Sequence, residues 1–316
     1  MRRIAVLGGG RWARVHISVL QTITEHRVEI LWLTRHYAHE NRTWLINNGG
    51  YNVAIIEDEE LLWALRPDAV IIATATPTHM SFLKRALDER IPLFCEKPFA
   101  LDMETAVKLV SYSQTQKIVA GVNLEFLYAN YLSDFALTLK SIPLESVDLV
   151  WHDSIHEVRH GEVKKSDSST PHLHDALPHC WSVLQVLLPN LTLKIWKVDV
   201  ENQDVLVSAN SVRSRLAFTF SLSRTAHIRR RVVDVNNGMA ILDFSTEPGT
   251  TTLNGKVTPN LWRGDRPMAG SVGSFLEQIE APMENWCLSL AATLPAVALA
   301  EQGHAMFLAG CHLKNI

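Results

Sequence analysis

Apolar runs alternate with amphipathic segments along residues 1–122. The apolar runs have the short, continuous character of buried strands: RRIAVLG, VEILWLT, PDAVIIATA, IPLFCEK and IVAGVN. The segments between them have helical spacing, and WARVHISVLQTI places Val15, Val19 and Leu20 on one face. Because strands that alternate with helices form βαβ units, this part of the chain predicts an α/β domain with a parallel sheet.

The pattern changes after Leu144. Alternating apolar and polar positions indicate extended segments: VDLVWHDS, LKIWKVDV, DVLVSANS, RLAFTFSLS, IRRRVVDVN and MAILDFS. Turn signals such as ENQD and NNG separate them, which is typical of antiparallel strands. LHDALPHCWSVLQVLL has helical spacing, as does LPAVALAEQGHAMFLAG near the end. We predict an α+β domain with a large, mostly antiparallel open sheet over residues 123–316, and leave open whether its C-terminal helices pack back on the domain of residues 1–122.

Composition narrows the class of protein. The chain has 316 residues, of which 47% are hydrophobic and 20% charged, in keeping with a folded protein of two domains. A net charge of −3 offers no basic surplus for nucleic acid or an anionic membrane. The run IAVL is too short for a signal peptide, and no apolar stretch reaches the roughly 18–20 residues of a membrane span. The cysteines lack C-x-x-C spacing, so we expect a cytoplasmic protein.

A glycine-rich turn follows the first predicted strand. Its sequence, VLGGGRWARV, contains Gly8-x-Gly10-x-x-Ala13. The first glycine allows a tight turn, the second lets a pyrophosphate approach the backbone, and the small third residue packs the helix on the strand. Arg11 and Trp12 lie at the start of that helix, where the phosphates would rest. The sequence therefore predicts a dinucleotide-binding loop; the alternative is a βα turn without a ligand.

The end of the second strand selects between nicotinamide cofactors. An acidic residue there would bind the ribose 2′-hydroxyl of NAD, but this strand ends in Thr34, Arg35 and His36. Arg35 would pair with a 2′-phosphate, and Thr34 would donate a hydrogen bond to it. We therefore favour NADP over NAD. A solvated Arg35 without a ligand would leave the preference open.

Two further strand ends carry polar residues, ATATPTH and CEKP. Carboxyl ends of strands line the ligand crevice of an open α/β sheet. Together with the glycine loop and a later HDALPHCWSVL, these segments resemble the Gfo/Idh/MocA oxidoreductase family. That family has a Rossmann domain followed by a second domain with a large open sheet. The resemblance follows the order of elements over most of the chain, densely up to Val122 and thinly afterwards.

The resemblance assigns roles at both strand ends. Lys97 becomes the active-site lysine, which touches the nicotinamide and the substrate, and Pro98 admits a cis peptide bond there. Glu96 holds the cofactor ribose or orients the lysine, and Thr76 and Pro77 lie against the nicotinamide ribose. The cofactor-binding residues implied at these ends are Thr74, Thr76, Pro77, His79, Glu96 and Lys97. The alternative for Lys97 is a surface lysine after a strand.

The second motif lies in LHDALPHCW. Asp175 and His179 are four residues apart, so a helix puts them on one face. The family pattern is D-x-G-x-H, and here Ala176-Leu177-Pro178 fills the gap, so the expected glycine is missing. The resemblance makes His179 the proton donor or acceptor and Asp175 a substrate-binding or orienting group. His174, next to Asp175, is a further substrate-side candidate. The alternative is a capping aspartate beside a core histidine.

Other histidines invite a metal interpretation: His152, His156, His160, His172 and His174. Zinc needs three or four converging ligands, and an extended VDLVWHDS would turn His152 away from a helical face. We therefore predict no metal site.

One difference from the family pattern affects which substrates we expect the pocket to accept. After IVAGVN, sugar-handling members of the family have an arginine–phenylalanine pair, whereas Glu125 stands here in place of the arginine. Asn123 remains a candidate for the substrate pocket. A carboxylate disfavours anionic substrates and suits neutral or cationic ones, and relatives in natural-product pathways reduce cyclic imines such as thiazolines.

The sequence thus predicts an NADP-dependent oxidoreductase. Hydride would pass between nicotinamide and a C=O or C–OH carbon of a small sugar- or cyclitol-like substrate. Alternatives are a thiazoline-type imine reductase and, in another class, an NADP-binding sensor without catalysis. The alternation of Leu216, Phe218, Phe220 and Leu222 leaves an apolar sheet face for the C-terminal helices or a second subunit to cover. By resemblance, we expect a homodimer or homotetramer through the open sheet.

Overall fold

A computed structural model describes residues 1–156, 158–159, 162–163, 169–201 and 204–313. The chain folds into two compact units. The first unit comprises Met1–Glu125 and Pro267–Leu294, and the second comprises Phe126–Arg266 and Pro295–Ile316. No helix among the described residues is both long and apolar enough to cross a membrane.

The first unit is a parallel α/β sheet. Its elements are β1 (Arg3–Leu7), α1 (Arg11–Ile23), β2 (Glu29–Leu33), α2 (Ala38–Asn47), β3 (Val53–Ile56), α3 (Glu59–Ala64), β4 (Ala69–Ile72), α4 (Thr76–Asp88), β5 (Leu93–Glu96), α5 (Met103–Gln116) and β6 (Ala120–Asn123). The strand order is β3-β2-β1-β4-β5-β6, and all neighbouring pairs are parallel. This is the doubly wound topology that places the carboxyl ends of β1 and β4 beside each other at the reversal of strand order.

The sequence pattern missed α2 and β3. Strand β3 has only four residues at the edge of the sheet, and none of them is fully buried, so it lacks a continuous apolar signal. The helical face of α1 also differs from the prediction, because Val15 and Val19 are only half-buried. The fully buried residues are Ala13, His16, Ile17, Leu20 and Gln21. Helix α1 contacts both β1 and a later helix, so its buried surface is wider than one stripe.

That later helix is α8 (Pro267–Glu280), which belongs to the first unit together with the segment after it. Val122 N–H donates to Leu288 O over 2.9 Å, so this segment covers the free edge of β6. The Trp286 ring lies where a side chain at Gly121 would be, 2.2 Å from an ideal Cβ. Phe275 of α8 stacks on Phe94 of β5 at 5.1 Å.

The second unit has a large, mostly antiparallel sheet with helices. Its elements are α6 (Asn130–Leu139), β7 (Ser146–Ser154), β8 (Val158–Arg159), β9 (Glu162–Val163), α7 (His172–Leu187), β10 (Leu193–Glu201), β11 (Asp204–Ser211), β12 (Ala217–Ala226), β13 (Arg230–Val235), β14 (Ala240–Asp243), β15 (Thr250–Leu253), β16 (Lys256–Pro259) and α9 (Leu294–Leu313). The order of the main sheet is β10-β11-β12-β7-β13-β14-β15-β16. The pair β12–β7 is parallel and the other pairs are antiparallel.

One face of this sheet forms the core of the second unit. Phe218, Phe220 and Leu222 are almost completely buried, and α7 packs against β7 and β12. Thr219 and Ser221 alternate with them on the other face and are half-buried. The apolar alternation in β12 is therefore covered within the chain itself.

Candidate cofactor and substrate sites

The glycine loop joins β1 to α1. Gly8 has a φ of 130°, and a Cβ there would lie 2.4 Å from Ala73 O, so the backbone demands glycine. Gly10 differs, since a Cβ there would meet nothing within 4 Å. The space beside Gly10 is therefore open at the amino end of α1, where an anion is stabilised by backbone N–H groups and the helix dipole.

The residues after the loop have two functions. Ala13 is completely buried, as expected for the small residue that packs α1 on the sheet. Arg11 and Trp12 are half-buried, and the Arg11 guanidinium lies 5.1 Å from the Trp12 ring centroid. Stacking on the indole holds this cation at the amino end of α1.

The end of β2 is more enclosed than its sequence suggests. Thr34 is almost fully buried, and its Oγ1 accepts a hydrogen bond from Asn41 Nδ2 over 2.9 Å. Asn41 also donates to Gly9 O, so Thr34 supports the glycine loop. Arg35 is half exposed and forms an ion pair with Glu59 in the first turn of α3. Asn41 and Glu59 escaped the sequence argument because neither lies at a strand end.

The end of β4 is tied to the end of β5 by a histidine. His79 is buried, with Nε2 2.9 Å from Thr74 O and Nδ1 2.9 Å from Pro98 O. Both acceptors are carbonyls, so a neutral ring donates to only one of them at a time. Thr76 is half-buried and Pro77 exposed at the start of α4. His79 therefore links the segments that follow β4 and β5 from inside the fold. Thr76 and Pro77 lie at the surface of the crevice.

The end of β5 carries a buried carboxylate. Glu96 Oε1 accepts hydrogen bonds from His16 Nε2 and Asn123 Nδ2, each over 2.8 Å. Burial raises the pKa of Glu96, but these bonds and the nearby Lys97 charge outweigh it, and the pKa is lowered. Burial and the Glu96 charge raise the pKa of the Cys95 thiol, which disfavours a reactive thiolate. Lys97 is half-buried, and the Lys97–Pro98 bond is cis.

Asn123 and Glu125 differ in exposure. Asn123 is buried and accepts a hydrogen bond from Ser271 Oγ of α8 over 2.8 Å, so its amide is engaged on both sides. Glu125 is half-buried at the start of a 3₁₀ helix, Glu125–Tyr128. This supports Asn123 as part of the internal scaffold and keeps Glu125 as the pocket candidate.

In the second unit, α7 places its polar residues on different sides. Asp175 forms an ion pair with Arg224 of β12 at 3.1 Å. Burial and the positive charge of Arg224 lower the pKa of His172 to about 4, so that its ring is neutral near pH 7. His174 is buried against His304 of α9, with ring centroids 4.9 Å apart. This position supports a packing role for His174.

His179 lies in an aromatic cage. Its ring stacks on Trp151 at 4.9 Å with an interplanar angle of 16°, and Phe126 meets it edge-on at 5.6 Å. The guanidinium of Arg231 lies 3.8 Å from the Trp151 ring centroid, and Arg231 also pairs with Asp153. Stacking fixes the plane of the imidazole, so its nitrogens point in defined directions.

Trp151 and Arg231 were not predicted as site residues. A tryptophan and an arginine on separate strands look, in a sequence, like ordinary core and surface residues. Lys97 lies in the first unit, whereas His174, Asp175 and His179 lie in the second.

The described residues contain no group of three or more His, Cys, Asp or Glu side chains arranged to hold a metal ion. His152 Nε2 lies 2.8 Å from Ser221 Oγ, which accounts for one ring nitrogen. His160 lies outside the described residues.

Comparisons with known proteins bear on both units. Residues 2–124 match the GFO_IDH_MocA family, described as an oxidoreductase family with an NAD-binding Rossmann fold. Inositol 2-dehydrogenase of Mycolicibacterium smegmatis is 33% identical over 110 residues, which cover 34% of this chain and 31% of that protein. The match therefore spans about a third of the length of such curated relatives.

Solved structures resemble nearly the whole chain. An inositol dehydrogenase homologue from Azotobacter vinelandii, complexed with NADH and myo-inositol, has a TM-score of 0.74 and 15% identity, over 96% of this chain and 95% of that one. UDP-N-acetylglucosamine 3-dehydrogenase GnnA from Acidithiobacillus ferrooxidans has a TM-score of 0.72 and 16% identity, over 96% and 97%. At these identities the likeness establishes a shared fold.

Proposed function

We propose that the whole chain is a nicotinamide-dependent oxidoreductase of the Gfo/Idh/MocA family, because residues 2–124 match the model of that family. Hydride passes between the nicotinamide and a C=O or C–OH carbon of a small, polar, sugar- or cyclitol-like substrate. The observation that carries the proposal is the position of Lys97, next to an ionised Glu96 at the same sheet edge as the glycine loop.

The chain's own residues divide the work. A bound nicotinamide cofactor would accept the hydride in oxidation of the substrate and donate it in the reverse direction. Lys97 stabilises negative charge on the substrate oxygen, and His179, whose plane the Trp151 stack fixes, moves the proton. Asp175, paired with Arg224, orients the substrate. The names of the relatives, an inositol dehydrogenase and a nucleotide-sugar dehydrogenase, support a polyol or sugar substrate.

The direct test is turnover of a panel of polyols, sugars and cyclic imines by wild-type protein, Lys97→Ala and His179→Ala. We expect polyol or sugar oxidation that falls by about 100-fold or more in both variants. Cofactor binding should persist, and the exposed Lys84→Ala serves as the matched control. Wild-type activity in both variants would contradict the assignment, turnover of imines alone would favour an imine reductase, and cofactor binding without any turnover would favour a sensor.

For the cofactor we propose NADP. The strand β2 ends in Arg35 with no acidic residue following it directly, and a half-exposed guanidinium can turn to a 2′-phosphate. The ion pair with Glu59 favours a second candidate, NAD, since a carboxylate beside Arg35 could instead accept a bond from a ribose 2′-hydroxyl.

Dissociation constants for NADPH and NADH separate the two candidates. If NADP is the cofactor, Arg35→Ala weakens NADPH binding about tenfold and leaves NADH binding unchanged. If NAD is the cofactor, Glu59→Gln weakens NADH binding instead.

We also propose that the protein is a cytoplasmic homodimer or homotetramer assembled through the outer face of the large sheet. On that face Val150, Val232 and Ile241 are only half-buried, and Trp196 of β10 is 56% exposed. Cys95 and Cys180 are buried thiols, which suits a reducing compartment. Light scattering after gel filtration tests the assembly, and a monomer at micromolar concentration would refute it.

A further inference from the structure

A chain of buried polar side chains runs through the first unit behind Lys97. His16 of α1, Glu96 of β5, Asn123 of β6 and Ser271 of α8 are linked by hydrogen bonds of 2.8 Å each. His16 is completely inaccessible to solvent, and the others are at most 8% exposed. The chain therefore connects the helix that begins at the glycine loop with the strand end that carries Lys97.

Burying these polar side chains in an apolar environment costs free energy of folding. The neighbours of His16 on the buried face of α1 include Ala13, Ile17 and Leu20, and an apolar residue at position 16 would pack there without a hydrogen bond. Burying an imidazole and a carboxylate disfavours folding unless each is paired. Since the two groups pair with each other, and Glu96 also with Asn123, the fold gives up some stability to keep a carboxylate at the end of β5.

One oxygen of Glu96 takes both of these hydrogen bonds. Oε1 accepts from His16 Nε2 and from Asn123 Nδ2. An ionised carboxyl group only accepts, so His16 Nε2 carries the proton in its bond. The two bonds thus fix Oε1 at the end of β5.

The titratable groups that face Glu96 come from two elements of the described structure. His16 faces it from α1, the Cys95 thiol precedes it on β5, and Lys97 follows it directly after the strand. The other two members of the hydrogen-bonded series are neutral: Asn123 of strand β6 and Ser271 of helix α8.

We propose that His16 is a positioning residue for Lys97: it holds Glu96 in place, and this fixed negative charge keeps Lys97 oriented for its role at the substrate oxygen. The inference rests on the proposed function of Lys97. It adds a residue of the cofactor-loop helix that reaches neither cofactor nor substrate and acts only through Glu96.

The first test needs neither cofactor nor substrate. Protein labelled with ¹³C at the glutamate carboxyl carbons is titrated by NMR, with Glu96→Gln used to assign the Glu96 signal. In His16→Leu we expect the Glu96 titration to move up by about one pH unit or more, because a charge-assisted hydrogen bond is lost. In His16→Gln, whose amide nitrogen can replace Nε2, it should stay near wild type. An unchanged Glu96 titration in folded His16→Leu overturns the proposal.

His16→Asn provides a second variant in case the leucine protein does not fold. Its amide is polar but one methylene shorter than that of glutamine, so we expect the upward shift seen with leucine. A wild-type Glu96 titration in His16→Asn would equally overturn the proposal.

The second test separates positioning from general damage. His16→Leu should lower kcat about tenfold and move the acid limb of the kcat/KM profile to higher pH, with cofactor KM within about twofold of wild type. His16→Gln should restore both quantities, and Ser18→Ala, an exposed change on the same helix, should alter neither. An equal loss in His16→Leu and His16→Gln, or a loss confined to cofactor KM, would contradict positioning.

Failure of the proposed function is distinguishable from failure of this inference. A Lys97→Ala protein with full activity removes the function of Lys97 but leaves the NMR result standing. A shifted Glu96 titration without any change in kcat, in a protein whose Lys97→Ala variant is inactive, removes the link between His16 and Lys97.

Discussion

The two units hold their candidate functional groups by different physical means. In the first unit, Glu96 is fixed by short hydrogen bonds from His16 and Asn123 at the ends of parallel strands. In the second, His179 is held by flat stacking on Trp151, and Asp175 by an ion pair with Arg224. Hydrogen bonds set distance and charge, whereas stacking sets the plane of a ring and leaves its edge open.

The same two units differ in how far their sequence relationships extend. The sequence match to the family covers residues 2–124, which lie within the first unit. The second unit is recognised through its fold, at 15% identity. In the first unit, the positive φ at Gly8 restricts that position to glycine. A stacked aromatic ring places a weaker restriction on the residue types around it. The following variants test this contrast.

The largest loss of stability is expected in the second unit. Arg231→Gln removes the buried ion pair with Asp153 and the cation that lies over the Trp151 ring, so the free energy of unfolding should fall by about 3–5 kcal/mol. Thermal unfolding measures it. The neighbouring Arg230 is exposed, and Arg230→Gln should change the melting temperature little. Equal effects would show that the buried pair is not what stabilises this cage.

In the first unit the corresponding test compares two glycines. Gly8→Ala places a Cβ against Ala73 O at a positive φ, so we expect a loss of about 3 kcal/mol. Gly10→Ala has space for its Cβ and should fold normally, but it should weaken cofactor binding by narrowing the approach to the loop. Calorimetry with and without cofactor distinguishes the two. A destabilised Gly10→Ala protein would refute this separation of roles.

Acid should affect the second unit through His172. The pKa of His172 is about 4 in the folded protein because of burial and Arg224, against 6.5 for an ordinary histidine. Between these pH values the unfolded chain binds more protons, so stability falls as the pH drops from about 6.5 to 4. Across this pH range, His172 lowers the free energy of unfolding by at most about 3 kcal/mol. His172→Gln should flatten the dependence of the melting temperature on pH in this window, and an unchanged slope would argue against a neutral His172.

The smallest effect concerns the plane of His179. Trp151→Phe keeps an aromatic face and should retain kcat within about threefold, whereas Trp151→Leu frees the ring and should lower kcat about tenfold. Steady-state kinetics with the best substrate of the panel measures both. If leucine and phenylalanine give the same kcat, stacking does not orient His179.

Local patterns predicted what depends on local geometry. The alternation of strands and helices, the glycine loop and the change to antiparallel strands all follow from spacings that a single segment contains. The edge strand β3 and the buried face of α1 were missed because their burial is decided by distant elements. His16 and Glu96 are separated by 80 positions, and Asn123 and Ser271 by 148. No spacing in the sequence marks such partners, so a histidine on a helix reads as an ordinary polar position.

The path of the chain between the two units has a consequence for how the protein is made. The backbone leaves the first unit after Glu125, returns at Pro267 and departs again after Leu294. A ribosome that has completed the family-matching residues 2–124 has therefore not yet supplied α8, or the Trp286 that lies over Gly121. The N-terminal unit completes its core only when almost the whole chain has emerged. A fragment cut at the boundary of the sequence match would expose Phe94 and the edge of β6, and would make a poor module for transfer into another protein.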